Sequence, residues 1–204
     1  MRSMRAIFEG AEFYDGRARF DALMEKRVIV PQLAFFDFDN TLFKSPIRPD
    51  WFPGNLKWWS HESSLNPPCV PLNPDKSWWN GKVVRAAREA IADQNVYAVL
   101  VTGRHDRKFR WRVPELLRGN ALQFDEVHLG SGTESTLKWK LGLLTRMLNR
   151  FPQVQVVQIY EDRDHINDFV RRVKKLGRTV VAHRISESFR DVECTEQEWR
   201  EAHG

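Results

Sequence analysis

Read for polarity alone, the chain breaks into blocks. Leu33–Phe36 is an unbroken apolar run that ends on Asp37. Val96–Val101 is a similar run, while Val154–Tyr160, Asp125–Leu129 and Arg178–His183 are shorter or more mixed stretches that also read as strands. Short apolar runs closed by polar turn residues read as buried strands. Between them, apolar residues recur at helical spacing. Val83, Ala87 and Ile91 do so across residues 81–94, and Leu137, Leu141, Leu144 and Leu148 form a second stripe. Ile166, Phe169, Val170 and Val173 form a third, which Gly177 ends as a left-handed cap. A further helix is expected from His105 to Leu117, shortened or kinked by Pro114. Thr195-x-x-Glu198 reads as a capping box for a short terminal helix. Strands alternating with helices imply βαβ units and a parallel sheet. The expected fold class is therefore α/β, a Rossmann-like parallel sheet flanked by helices.

Two blocks depart from this alternation. In residues 1–30, Phe13, Tyr14, Phe20, Leu23 and Met24 lie scattered among charges. A short helix over 18–26 and a strand at Val28–Val30, cut by Pro31, are expected there. Residues 44–80 hold seven prolines and five tryptophans. Proline at that density disfavours a long helix or a central strand. Dense aromatics argue against disorder. This block reads as an ordered, irregular insertion, a small lid over the end of the first core strand. The expected organisation is one domain, with a core at 31–43 and 81–184, the lid at 44–80, an N-terminal extension at 1–30 and a tail at 185–204.

Composition narrows the class. A hydrophobic share of 42% and a charged share of 29% over 204 residues are those of a globular protein. No apolar run approaches the roughly 18 residues of a membrane helix, so no membrane partner is expected. Met1–Gly10 has no apolar stretch of the kind a signal peptide carries. Cys69 and Cys194 form no CxxC pair and read as two unrelated thiols in a reducing, cytoplasmic setting. The net charge of +5 favours an anionic partner.

The candidate chemistry stands at the strand ends. Asp37 and Asp39 crown the first strand, with Thr41 two residues on. Like charges this close persist best with a cation between them or a shared proton. A hard cation with oxygen ligands, Mg²⁺ foremost, suits them. Thr102, Gly103 and Arg104 end the second long strand, and Glu161 and Asp162 follow the third. In open α/β sheets ligands bind beyond the carboxyl ends of the strands. Three such ends carrying these residue types point to metal-assisted phosphate chemistry.

These residues resemble the motifs of the haloacid dehalogenase (HAD) superfamily. Asp37-Phe-Asp-Asn-Thr41 is similar to its DxDxT motif, and Leu100-Val-Thr-Gly-Arg104 to its second motif. Thr136-Leu-Lys-Trp-Lys140 resembles the lysine motif, with Lys140 preferred and Lys138 as the alternative. Glu161-Asp162 resembles the acidic fourth motif. Tyr160-Glu-Asp-Arg163 followed by His165 is similar to the Swiss Army Knife RNA repair-like HAD domains and to the phosphatase half of polynucleotide kinase-phosphatases. Asn40 stands where the family often has Gly; Asn tolerates a left-handed turn.

The resemblance implies a Mg²⁺-dependent phosphatase in which Asp37 is the nucleophile and Asp39 the acid-base group. Asp37, the backbone carbonyl of Asp39, and Asp162 would hold the metal, with Asp164 as an alternative to Asp162. Lys140 would offset charge. Thr41, Thr102, Gly103, Arg104, Arg163 and His165 would meet phosphate or substrate, though a salt bridge is the other reading for each arginine and a structural role for His165. Glu161 would orient Arg163 or a metal-bound water. The implied partner is a phosphorylated substrate, foremost a nucleic-acid end. A small-metabolite or nucleotide phosphatase, and a catalytically idle nucleic-acid-binding protein, are the alternatives.

Two further features carry two readings each. The run from Arg104 to Arg112 is basic with aromatics interleaved. It is either a track for a nucleic-acid backbone or the solvated face of a helix. Trp58-Trp59 and Trp78-Trp79 either stack bases or close the insertion on the core.

Overall fold

The computed structural model describes residues 30–132, 134–186, 190, 191 and 193–203. The expected helix at 18–26 and most of the strand at 28–30 lie outside these residues. Five parallel strands form one sheet in the order β3-β2-β1-β4-β5. They are β1 (Gln32–Asp37), β2 (Val96–His105), β3 (Glu126–Gly130), β4 (Val156–Glu161) and β5 (Thr179–Arg184). The helices are α1 (Gly81–Ala92), α2 (Asp106–Phe109), α3 (Arg112–Gly119), α4 (Thr136–Arg150), α5 (Ile166–Lys175) and α6 (Glu196–His203). Among the described residues no helix is long and apolar enough to cross a membrane.

The central strand is apolar on both faces because helices cover both. Ala34 and Phe36 turn to one face, where α1 and α3 bring Val83, Ala87, Val113 and Leu117. Leu33 and Phe35 turn to the other, against Leu144, Met147 and Leu148 of α4 and Phe169 and Val173 of α5. After β3 the chain crosses back to the far side of β1, so a topological switch point opens between β1 and β4. The carboxyl ends of those two strands are where a ligand crevice belongs.

The helix expected across 105–117 is two pieces. β2 runs on through Arg104 and His105, and the chain turns between Phe109 and Arg112. Pro114 sits in the first turn of α3, where a missing N–H leaves no bond unmade. Gly177, at φ +71°, ends α5 as expected.

Residues 44–80 hold three short 3₁₀ turns, at Trp58–Ser60, Glu62–Ser64 and Lys76–Trp78. Trp78 and Trp79 are buried in the main core, and Trp58 in a satellite core with Phe52. Stacking on bases is thereby closed to all three. Trp58 also donates its indole N–H to the Pro46 carbonyl at 2.9 Å. The same satellite core corrects the expectation of two free thiols. Cys69 and Cys194 are disulfide-bonded, with Cα atoms 5.0 Å apart across 125 residues of sequence. Their spacing could not show this, because the pair joins the insertion to the C-terminal segment. The thiols therefore no longer argue for a reducing compartment.

Candidate active site

Strand alternation sets the site. Leu33 and Phe35 face α4, so Asp37, two residues on, faces it too. In β4, Val157 and Ile159 face α4 and α5, which sends Glu161 the same way. Phe36 lies beside Tyr160 in the register, so Asp37 and Glu161 end neighbouring strands side by side. Lys140 rises to meet them from α4, on the buried side that carries Leu143, Leu144 and Met147. Its Nζ lies 2.6 Å from Asp37 Oδ1 and 2.9 Å from Glu161 Oε2. Lys138 is 79% exposed and faces Glu134 at 3.8 Å. Only two residues separate the lysines, but the turn of the helix sends them to opposite environments.

Beyond Asp37 the strand ends in a tight turn. Asn40 holds φ +59°, the left-handed conformation expected of it. The Leu42 and Phe43 amides donate to the Phe38 carbonyl at 3.0 and 2.9 Å. The turn folds Thr41 back, so its hydroxyl donates to Asp37 Oδ2 at 3.4 Å. It also buries Asp39 among donors. Ser45 Oγ and Arg104 Nε donate to Asp39 Oδ1 at 2.6 and 2.9 Å, and Thr102 Oγ1 donates to Oδ2 at 3.0 Å.

Of the two readings for Arg104, the structure holds the ion pair. Its guanidinium is 2% exposed, between the rings of Trp59 and Phe109 at 5.0 and 5.1 Å. Nη1 donates to the Trp59 carbonyl at 3.0 Å and to Ser64 Oγ. Nη2 lies 2.7 Å from Asp39 Oδ1 but makes no hydrogen bond of its own. The Thr102 hydroxyl, expected on phosphate, is given to Asp39. Residues 58–64 thus hold the arginine that holds Asp39. Ser45 and Ser64 were not singled out from sequence as parts of the site, and Trp59 was named only with Trp58, as a pair that stacks bases or closes the insertion; its carbonyl's hold on Arg104 was not foreseen.

The electrostatics follow from burial. Asp37, Asp39, Glu161 and Asp162 are buried against two buried cations, Arg104 and Lys140. Burial, then the charge of Glu161, pushes the Asp37 carboxyl well above the usual carboxylate range despite Lys140. Asp162 is pushed up to about 7 by burial and by its hydrogen bond and charge contact with Glu161. Asp39 moves the other way. Burial would raise it, but the Arg104 charge and the donors from Arg104, Ser45 and Thr102 hold it low. Burial disfavours the Lys140 ammonium, yet Asp37 and Glu161 outweigh this and keep it charged. Glu161, opposed by burial, is held low chiefly by Lys140.

The residues fit a hard divalent cation. One oxygen each of Asp37, Glu161 and Asp162 lie within 4.8 Å of one another. Asp162 Oδ1 is buried with no hydrogen-bond partner among the described residues. The donors are all oxygens, as Mg²⁺ requires, and the four buried carboxylates of the site outnumber its two buried cations, Arg104 and Lys140. Asp164 is turned away, its 94% exposed side chain paired with Arg184 at 2.8 Å.

A cavity of about 190 Å³ opens on this cluster, lined by Asp37, Asp39, Trp59, Ser60, Gly103, Arg104, Thr136, Lys140 and Arg163. Gly103 is needed there: a Cβ would stand 2.7 Å from the Thr136 Oγ1 and Cγ2 atoms. Arg163 is exposed along the cavity, and its amide donates to Glu161 Oε1 at 3.4 Å. His165 is half-buried, is not among the lining residues, and its Nδ1 has no hydrogen-bond partner among the described residues.

Comparison with known proteins places the chain in a family. An uncharacterized protein of Saccharomyces cerevisiae is 26% identical over 163 residues, covering 67% of this chain and 35% of its own length. A chain in the structure of the Pnkp1/Rnl/Hen1 RNA repair complex shares the fold, with a TM-score of 0.52 at 16% identity. That likeness covers 77% of this chain and 43% of the other, so this chain spans less than half the length of both. A family model matches residues 40–198, beginning just past Asp39. The chain belongs to that family, HAD domain family 1 in Swiss Army Knife RNA repair proteins.

Proposed function

We propose that this chain hydrolyses phosphate monoesters at a polynucleotide end, foremost a 3′-phosphate of RNA or DNA, with Mg²⁺ as cofactor. The observation that carries the chemistry is the Asp37 carboxylate, held by Lys140 at the wall of a cavity that Asp39 also lines. Asp37, Asp162 and the backbone carbonyl of Asp39 would hold the ion, with Glu161 beside them. Bound there, it would neutralise charge between carboxylate and phosphate.

Asp37 attacks phosphorus, and the bond to the leaving ester oxygen breaks as an aspartyl-phosphate forms. Asp39 gives its proton to that oxygen. Water then attacks phosphorus, the bond to Asp37 breaks, and Asp39 takes the water proton. Arg104 holds Asp39 as a carboxylate, ready for the second half. The first half needs its proton, so Arg104 must loosen its hold. Nη2, ion-paired with Asp39 but without a hydrogen bond of its own, is the Arg104 nitrogen left to donate to a bound phosphate. Lys140 and Arg163 supply further positive charge.

Two observations favour a strand end over a small metabolite. The family is that of RNA repair proteins. The cavity, about 190 Å³, is smaller than the roughly 300–1,000 Å³ that encloses a small-molecule ligand. It suits a phosphate whose remaining strand lies outside.

The test is turnover of a generic aryl phosphate with Mg²⁺, then of 3′- and 5′-phosphorylated oligonucleotides beside free nucleotides. The wild type should cleave the aryl ester and prefer the 3′-phosphorylated strand, with KM rising steeply with salt. Asp37→Asn should abolish turnover while the fold survives. A wild-type protein that cleaves no phosphate ester would overturn the proposal.

A further inference from the structure

We infer that Trp111, with the basic residues just before it, is a stacking platform for a base of a single-stranded polynucleotide whose phosphate end enters the cavity. This rests on the phosphatase reading above and adds where the strand lies. Trp111 is 79% exposed, the most exposed large hydrophobic side chain among the described residues. The other seven tryptophans are buried or half-buried. This chain therefore folds its indoles inward as a rule, and one is left out.

The packing around Trp111 fixes that orientation. Phe109 is fully buried, its ring against the Arg104 guanidinium at 5.1 Å. Arg112 is 5% exposed and tied inward. Its Nε donates to the Leu65 carbonyl at 2.8 Å, Nη1 to Leu72 at 2.9 Å and Nη2 to Pro71 at 2.7 Å. Arg110 and Trp111 join the two helices but keep right-handed helical φ/ψ, so positions three apart still share a face. With 109 and 112 both held inward, Trp111 is presented outward. Its backbone is anchored on both sides, which leaves less freedom to lose when a partner arrives.

The surroundings carry the matching charge. Arg107, Lys108 and Arg110 are exposed, Arg110 sharing its charge with Asp106 at 2.6 Å. The patch also adjoins the cavity: Phe109, between Lys108 and Arg110, packs its ring against Arg104, which lines it.

An indole flanked by cations suits a nucleic-acid strand, since every base offers a π-face and every linkage a charge. In a duplex the bases are already stacked, so the platform selects single strands or frayed ends. An anionic membrane surface is the rival occupant.

The test measures binding apart from turnover. A fluorescein-labelled single-stranded oligonucleotide with a 3′-hydroxyl is titrated with wild type, Trp111→Ala, Trp111→Phe and Arg107→Ala/Lys108→Ala, read by anisotropy. Loss of one stacked base should weaken binding about 5- to 100-fold in Trp111→Ala. Trp111→Phe should stay within about twofold of wild type, because it keeps a ring to stack. The double variant should weaken binding and lower the salt slope by about one to two. Aryl phosphate turnover should be unchanged in all three. A folded Trp111→Ala that binds the oligonucleotide as wild type does overturns the platform. So does a Trp111→Ala that loses affinity only for vesicles of phosphatidylserine and phosphatidylcholine. A wild type that binds the strand through Trp111 yet cleaves no aryl phosphate would sink the phosphatase reading alone.

Discussion

Lys140 carries more of the site's electrostatics than any other side chain. It is 3% exposed and ties Asp37 and Glu161 at 2.6 and 2.9 Å. Removing one member of a buried ion pair leaves uncompensated charge and costs about 3–5 kcal/mol. Lys140→Met should therefore lose about that much stability as well as turnover. Lys140→Met/Glu161→Gln should recover much of the stability and none of the activity. Urea denaturation of the three proteins checks this, and an unchanged midpoint in Lys140→Met would show that the carboxylates are satisfied elsewhere. At this scale the sequence was uneven to read. Asp37 and Asp39 were legible because an apolar run delivers both to a strand end. Lys140 was preferred to Lys138 only on its place in the Thr136-Leu-Lys-Trp-Lys140 pattern, because the helix face that decides between them is not written in that spacing. Arg104 was ambiguous for a related reason. Its residue type suits a phosphate or a carboxylate equally, and only the positions of Trp59, Ser64 and Phe109 draw it onto Asp39.

At the level of elements, one contact positions the carboxyl ends of the strands and another clasps their opposite, amino ends. One is the approach of β2 to the first turn of α4, where Gly103 meets Thr136. Gly103→Ala would bring a Cβ within 2.7 Å of the threonine side chain and force α4 to shift. Since Lys140 rides on α4, aryl phosphate turnover should fall at least about tenfold, by analogy with small misplacements in other sites. Wild-type turnover in Gly103→Ala would show that α4 does not set the lysine. The other contact is a clasp on β3. Glu126 accepts from Tyr97 of β2 at 2.8 Å and meets Arg150 of α4 at 2.8 Å and His128 at 2.7 Å. Burial would raise its pKa, but these donors outweigh it and lower it from 4.5 to about 2. A carboxyl depressed on folding stabilises above its unfolded pKa and stops doing so as pH falls through the folded value. The clasp should thus contribute fully above about pH 4.5 and fade toward about pH 2. Discounted for partial exposure, its worth is about 2 kcal/mol or less. Glu126→Gln should be less stable than wild type at pH 6, and the gap should close as pH falls. A gap that does not change with pH would refute the clasp. β1 and β2 were legible as unbroken apolar runs, and the mixed β3, β4 and β5 through their alternation with helices. The break between α2 and α3 was not, because Pro114 reads as an interruption within one helix when it in fact sits near the start of a second.

For the whole molecule, the unexpected tie is Cys69–Cys194. Trp199 of α6 packs against Trp51, Phe52 and His61 of the insertion, at centroid distances of 5.7 to 5.8 Å. Its indole N–H also donates to Ser63 Oγ at 2.8 Å. The C-terminal segment is thus fastened to the same insertion whose Trp59 and Ser64 hold Arg104. A disulfide spanning 125 residues removes much freedom from the unfolded chain, and such bonds typically stabilise by about 2–4 kcal/mol. Cys69→Ser/Cys194→Ser should lower Tm, and dithiothreitol should lower wild-type Tm to the same point. Because the tie reaches Arg104 only through the insertion, aryl phosphate kcat should fall less than stability does. Wild type denatured without reductant should show no reactive thiol by Ellman assay. Two reactive thiols there, with equal Tm in both proteins, would leave only non-covalent contacts, the rings and hydrogen bond of Trp199 among them, to fasten the C-terminal segment to the insertion. The insertion would then hold Arg104, and Arg104 would hold Asp39, without covalent help.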